Sequence, residues 1–238
     1  MSIQTEYNSW HTATVNFFDN PLDFQWYQTT LKLLPDLNNL KVLEIGCGRG
    51  AFSRLIVQRF PLVKLTAVDI SEVAIQEAKK TPGAIDFQVG NAEQLGLPDN
   101  SFDFIFSCET LEHIPVPGRM TGEIYRLLKP GGGYIITTEN YFNALALLWL
   151  KSWMTKKRFD TGSSVQPYEN FFLFFGVSAI IRKSGLKIDH TESNHFQWLV
   201  LPRVNPSKLT TMDFKQPFLK KLFKPFGRHY TFKGHKPA

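Results

Sequence analysis

Residues 41–50 read KVLEIGCGRG. Within them, residues 42–45 have the make-up of a short buried strand carrying one acid, Glu44. That strand runs into Gly46, Gly48 and Gly50. An apolar run through Ala51, Phe52, Leu55, Ile56 and Val57 then has the spacing of a helix. A buried strand, a glycine turn and a helix start together form a cradle. Glycines admit positive φ and let a ligand lie against bare backbone, and the first helical turn offers unpaired N–H groups. A plain strand-to-helix turn uses glycine in the same way, so the turn alone names no ligand.

Two cofactors fit this turn. Residues 46–51 satisfy G-x-G-x-x-A, the dinucleotide pattern. They also satisfy G-x-G-x-G with an acid, Glu44, two residues ahead of the first glycine. The next acid at a strand end is Asp69 in LTAVDIS, about 20 residues on, where a ribose-binding carboxylate is expected. Either cofactor has a ribose, so Asp69 leaves both open.

Beyond the turn, short apolar runs alternate with helical ones. The spacing predicts strands at 64–69, 85–89, 102–107 and 133–137, and helices at 52–60, 71–80 and 120–128. Ser71 is placed as an N-cap with Glu72 in the first turn, and Lys129-Pro130-Gly131 stops the last of these helices. This rhythm is that of an α/β fold, a parallel sheet with helices on both faces and ligands beyond the carboxyl ends of the strands. Ahead of it lies an aromatic leader, residues 1–40, with a helix over 22–34. After it comes an apolar insertion, 141–170, that opens YFNALALLWLKSWM. A helix at 170–183 and strands at 186–189 and 196–201 follow, and a helix-like piece is read at 218–224.

Four stretches carry a family resemblance: VLEIGCGRG, AVDIS, GNAEQLGLPDNSFDFIFSCETLEHI and LLKPGGGYIITTEN. In that order they resemble the motifs of class I S-adenosylmethionine-dependent methyltransferases, closest to the ubiquinone/menaquinone-type small-molecule branch. The resemblance implies a Rossmann-like, seven-stranded, mostly parallel sheet whose last strand, placed at 196–201, is antiparallel. It implies S-adenosyl-L-methionine as cofactor, with Glu44 near its amino-acid end and Gly46, Cys47, Gly48 and Gly50 around its methionine portion. Asp69 would accept from both ribose hydroxyls and Ile70 would pack on the adenine. Asn91 and Ala92 stand where many relatives have an acid, and the Asn91 amide oxygen can replace it. Cys108, just after the fourth strand, lies within the cofactor motifs. The leader would cover the cofactor as a lid, with Trp10, His11 and Tyr27 on the substrate side together with Glu139 and Asn140. His113, in CETLEH, has the pKa class of a base at neutral pH, with Glu109 and Glu112 as alternatives.

Composition sets the rest. The chain has 238 residues, enough for one α/β domain, read as 41–204 behind the leader. Two cysteines are too few for a disulfide framework or a zinc site, and no metal is expected. The opening residues lack a secretory pattern and no apolar run reaches about 18 residues, which points to the cytoplasm. The net charge of +6 is uneven. Residues 205–238 hold eight Lys or Arg and one acid, so this basic tail carries +7 and the remainder −1. Such a tail suits transient docking on an anionic membrane surface, or a phosphate-binding arm. The near-neutral remainder, and FSCETLEH in place of an N-P-P-[YF] motif after strand four, argue against nucleic acid. The aromatic leader and insertion suggest a small hydrophobic or lipid-like acceptor, methylated on oxygen. A tRNA or DNA methyltransferase and a non-catalytic cofactor-fold scaffold are the alternatives.

Overall fold

The first strand, β1 (Lys41–Ile45), pairs in parallel with β2 (Lys64–Asp69) on one side and β4 (Phe102–Cys108) on the other. The computed structural model describes residues 2–14, 20–81, 83–140, 153–154, 166–170, 172–197, 211–212, 218 and 224–238. The described strands form one sheet. Its remaining members are β3 (Ile85–Val89), β5 (Leu128–Glu139), β6 (Lys187–Gln197), the two-residue β7 (Thr211–Met212) and β8 (Gly227–His235). The order is β3-β2-β1-β4-β5-β8-β6-β7. Strands β1 to β5 run parallel, and β8 is antiparallel to both of its long neighbours, β5 and β6.

The expected mostly parallel sheet with a long antiparallel strand is therefore present, but that strand is not at 196–201; the two-residue β7 also runs antiparallel. Phe196 belongs to β6, which is far longer than the 186–189 expected, and residues 198–201 lie outside the described ones. The antiparallel strand is made by residues 227–235, inside the stretch taken as a basic tail. The physical reason is alternation. Tyr230 and Phe232 are fully buried on one face, packed against Phe174 at 5.0 and 5.6 Å. His229, Thr231 and Lys233 occupy the other face. The helix-like piece at 218–224 falls outside the described residues except at its ends, and most of the 141–170 insertion lies outside them too.

Six helices are described: α1 (Ile3–Ala13), α2 (Gln25–Leu33), α3 (Ala51–Arg59), α4 (Glu72–Lys79), α5 (Pro117–Leu127) and α6 (Phe174–Lys183). α1 was not anticipated. Ser2 starts it, its hydroxyl accepting from Thr5 N at 3.3 Å. On one face of the sheet Val42, Phe104, Phe106 and Ile135 bury Phe52 and Ile56 of α3. On the other, Leu43, Ile45, Ile105 and Ile136 bury Met120, Ile124 and Ile181 of α5 and α6. Because β1 alternates, Glu44 shares the α3 face with Val42. Its carboxyl, fully buried there, accepts a short hydrogen bond from Ser53 Oγ. The carboxyl ends of β1, β2, β4 and β5 all open on the same edge, which α1 and the first residues of α2 also reach.

Candidate active site

That edge holds a cavity of about 510 Å³. Its near wall is the turn after β1. Gly46, Gly48 and Gly50 take φ of 80°, 52° and 75°, values that glycine adopts without strain. A Cβ on Gly46 would stand 2.1 Å from Thr110 Oγ1, and one on Gly50 2.5 Å from Phe87 Cζ. A Cβ on Gly48 would meet nothing nearer than His11 Cε1 at 3.8 Å, so here bare backbone faces the cavity. Asp69, at the end of β2, fastens this turn. One carboxyl oxygen accepts from Gly48 N at 2.8 Å and the other from Ser71 N at 2.8 Å. Each oxygen keeps a second lone-pair direction, and Asp69 lines the cavity.

Gly46, Cys47, Gly48, Asp69, Ile70, Asn91, Ala92 and Cys108 all reach the cavity wall, as do Trp10, His11, Tyr27, Glu139 and His113. Three expected residues do not. Glu44 stands behind the turn, under α3, and burial raises its carboxyl to about 7. Gly50 sits against Phe87 at the start of α3. Asn140 is fully buried away from the cavity. Its amide donates to the carbonyls of Pro225 at 3.0 Å and Gly227 at 2.7 Å, and its backbone N–H to Arg228 at 2.6 Å. Glu44 and Asn140 are thus supports of the turn and of β8, not wall residues.

Residues of the leader line the cavity as well. Asn8 on α1 accepts from Ser71 Oγ at 2.9 Å, joining this helix to the start of α4 beside Asp69. Arg49 donates to the His11 backbone carbonyl at 2.5 Å, and its Nε is buried without a partner. Tyr27 stacks on Phe52 at 4.3 Å, and Trp26 lies against the His229 ring at 4.9 Å.

The far end is polar. The residue after β4, Glu109, has φ of 49°. Its Oε1 accepts from Thr137 Oγ1 at 2.7 Å, and its Oε2 lies 2.9 Å from His229 Nδ1. Burial first, then the Glu139 charge, raises Glu109 to about 8. Burial likewise raises Glu112, whose Oε2 accepts from Thr138 Oγ1 at 2.7 Å. Glu139 pairs with Arg228 at 3.1 Å. His113 Nδ1 lies 2.9 Å from the Tyr168 carbonyl. A carbonyl can only accept, so Nδ1 carries the proton and Nε2 the lone pair. Burial lowers the pKa of His113 and brings that of His229 down to about 4. Sequence reading missed Arg49, Arg228 and His229. The first sits inside the quoted turn, and the others lie on a strand masked by the charge count of the tail.

A methyltransferase domain matches residues 43–136. A ubiquinone biosynthesis O-methyltransferase of Pseudomonas aeruginosa is 34% identical over 181 residues, covering 71% of this chain and 72% of that protein. The chain belongs to the class I S-adenosylmethionine-dependent methyltransferases. A sterol 24-C-methyltransferase of Neurospora crassa is 35% identical over 115 residues, but the match spans 44% of this methyltransferase and only 30% of the fungal protein. A solved structure described as a possible histamine N-methyltransferase of Thermotoga maritima shares the fold with a TM-score of 0.68 at 21% identity, covering 99% of this chain and 100% of that one.

The wall fits S-adenosylmethionine. This cofactor has no phosphate to bind, and the turn offers bare backbone in its place. Asp69 has acceptor capacity left for a ribose, and Ile70 and Ala92 offer apolar surface on the same wall. The orphaned Arg49 Nε is a donor suited to the cofactor's carboxylate.

Proposed function

We propose that this methyltransferase transfers a methyl group to a hydroxyl oxygen of a small, hydrophobic or lipid-like acceptor. The observation that carries the reading is the union of two surfaces in one cavity. The glycine turn, the aromatic residues Trp10, Phe24, Trp26 and Tyr27, and His113 all line it. Aromatic walls recognise an apolar body, and a neutral imidazole in the same cavity suits a hydroxyl. The Pseudomonas relative, named for O-methylation in ubiquinone biosynthesis, supports the same reading.

Asp69, the backbone of Gly46 to Gly48, Ile70, Asn91, Ala92, Cys108 and Arg49 would hold the cofactor. S-adenosylmethionine supplies a methyl group already activated by its positive sulfur. The protein's share is to align the acceptor, which contributes up to about 7–11 kcal/mol, and to remove a proton, worth roughly 10²–10⁴-fold. His113 is neutral at physiological pH because burial disfavours its charged form, and Nε2 can take that proton.

The test is a panel of hydrophobic phenols, amines and carbon acids incubated with S-adenosylmethionine and read by mass spectrometry. Methyl ethers from phenols are expected; products only on nitrogen or carbon would reject oxygen as the target. Docking on an anionic membrane remains part of the proposal through residues 205–226, where five Lys face one acid and Phe218 is exposed. Co-sedimentation with anionic vesicles should fall when Lys220 and Lys221 become Glu; unchanged binding would remove the membrane from the account.

A further inference from the structure

Arg228 brings a guanidinium to the cavity wall that the cofactor does not account for. In the run β1-β4-β5-β8 it stands three strands from the glycine turn, roughly 14 Å at the usual strand spacing. Its backbone is held firmly, the carbonyl accepting from Asn140 N at 2.6 Å. Its neighbour His229 lies under the ring of Trp26, one of the aromatic residues of the leader that line the cavity.

The side chain itself is fixed from one side only. Nη2 donates to Glu139 Oε1 at 3.1 Å. A guanidinium has five N–H groups and no acceptor. Among the described residues this is the one hydrogen bond of that fork, and the buried Nε has no partner at all. A purely structural Arg–carboxylate pair commonly engages two donors in parallel. Here donors are left over on a side chain that is 24% exposed and lines the cavity. Leaving them unmet costs free energy, and a ligand oxygen would recover it. Glu139 already balances the guanidinium charge. A ligand carboxylate would therefore be buried here without a cation of its own, whereas a neutral oxygen needs only an N–H.

We propose that Arg228 is a specificity-determining residue that donates to a second, uncharged oxygen on the acceptor, such as an ether or carbonyl oxygen. This rests on the reading of the cavity as the place of a small, hydrophobic acceptor, and it narrows that class. An apolar body alone leaves the guanidinium fork unmet. A body carrying one neutral oxygen besides the reactive hydroxyl meets it. Glu139 is the positioning residue: it aims the fork and sets the charge that the fork accepts.

Calorimetry with S-adenosylhomocysteine present reads this without any methyl transfer. The probes are a para-heptylphenol, the same phenol with a methoxy group ortho or meta to the hydroxyl, and the same phenol with a carboxylate at those positions. One of the methoxyphenols should bind the wild type about 10-fold more tightly than the plain phenol, and the carboxylates no more tightly. Arg228→Met, which removes every donor at similar length, should abolish the methoxy gain. Glu139→Gln keeps an acceptor for Nη2 but leaves the guanidinium charge unbalanced, so a carboxylate should now gain about 10-fold. Should Arg228→Met not fold, Glu139→Gln decides alone. Equal affinity of the plain and methoxy phenols for the wild type, as when water alone meets the fork, would overturn the proposal. So would a methoxy gain that survives Arg228→Met, a carboxylate affinity unmoved by Glu139→Gln, or no binding by any probe. Oxygen as the methylated atom fails separately, on products formed only at nitrogen or carbon.

Discussion

At the scale of single residues, the turn after β1 shows what glycine is for at each position. Gly48 keeps a wall bare, whereas Gly46 makes room for Thr110. Gly46→Ala places a methyl on the Thr110 hydroxyl in a left-handed backbone, and should cost at least about 2 kcal/mol by chemical denaturation. Glu44 has a different signature. Its folded-state pKa stands near 7 against an ordinary 4.5, so the folded state prefers the neutral carboxyl. The sign follows: its contribution is fully favourable below about pH 4.5 and is lost as pH rises through about 7. Glu44→Gln, which keeps an acceptor for Ser53, should remove roughly 3 kcal/mol of that decline when melting is followed from acid to mild alkali. The identity of these residues was legible in the sequence because spacing marks them. What spacing could not show is the side of the turn on which each stands. Glu44 looks like a ligand-binding acid by position, and strand alternation turns it toward α3.

At the scale of elements, the parallel half of the sheet was legible and the last third was not. Strands β1 to β5 are bracketed by glycine, proline and capping signals within a regular rhythm. β8 was hidden because it follows a stretch of lysines, and its own period of two was overridden by a charge count. Arg228, Lys233 and Lys236 look like tail charges, yet Lys236 is buried and donates to the Leu128 carbonyl at 2.9 Å. α1 was hidden for the opposite reason: its polar residues give little apolar periodicity, and only the Ser2 cap marks it. The account predicts that Asn140, which ties β5 to the entry of β8 by three hydrogen bonds, is a stability residue. Asn140→Ala should cost about 2–4 kcal/mol by denaturant titration, since it strands two carbonyls, while the affinity for S-adenosylmethionine stays the same. A loss of cofactor affinity without loss of stability would return Asn140 to the site.

At the scale of the whole molecule, the cavity is assembled from segments far apart in sequence. The leader gives aromatic lining, the ends of β1 and β2 the proposed cofactor wall, the turn after β4 His113, the proposed base, and β8 the histidine that meets Glu109. This is why four ordered motifs fix the cofactor and family but leave the acceptor open. The motifs lie on one wall, and the opposite wall comes from residues outside them. None of the described helices is long and apolar enough to cross a membrane. Everything above depends on the cofactor lying on the glycine turn with its ribose on Asp69. Isothermal calorimetry of S-adenosylmethionine against the wild-type chain and Asp69→Asn measures this directly. The wild type should bind one cofactor per chain, and Asp69→Asn should bind roughly 10–100-fold more weakly while still melting cooperatively. No binding to the wild type, or equal affinity in the two proteins, would contradict it.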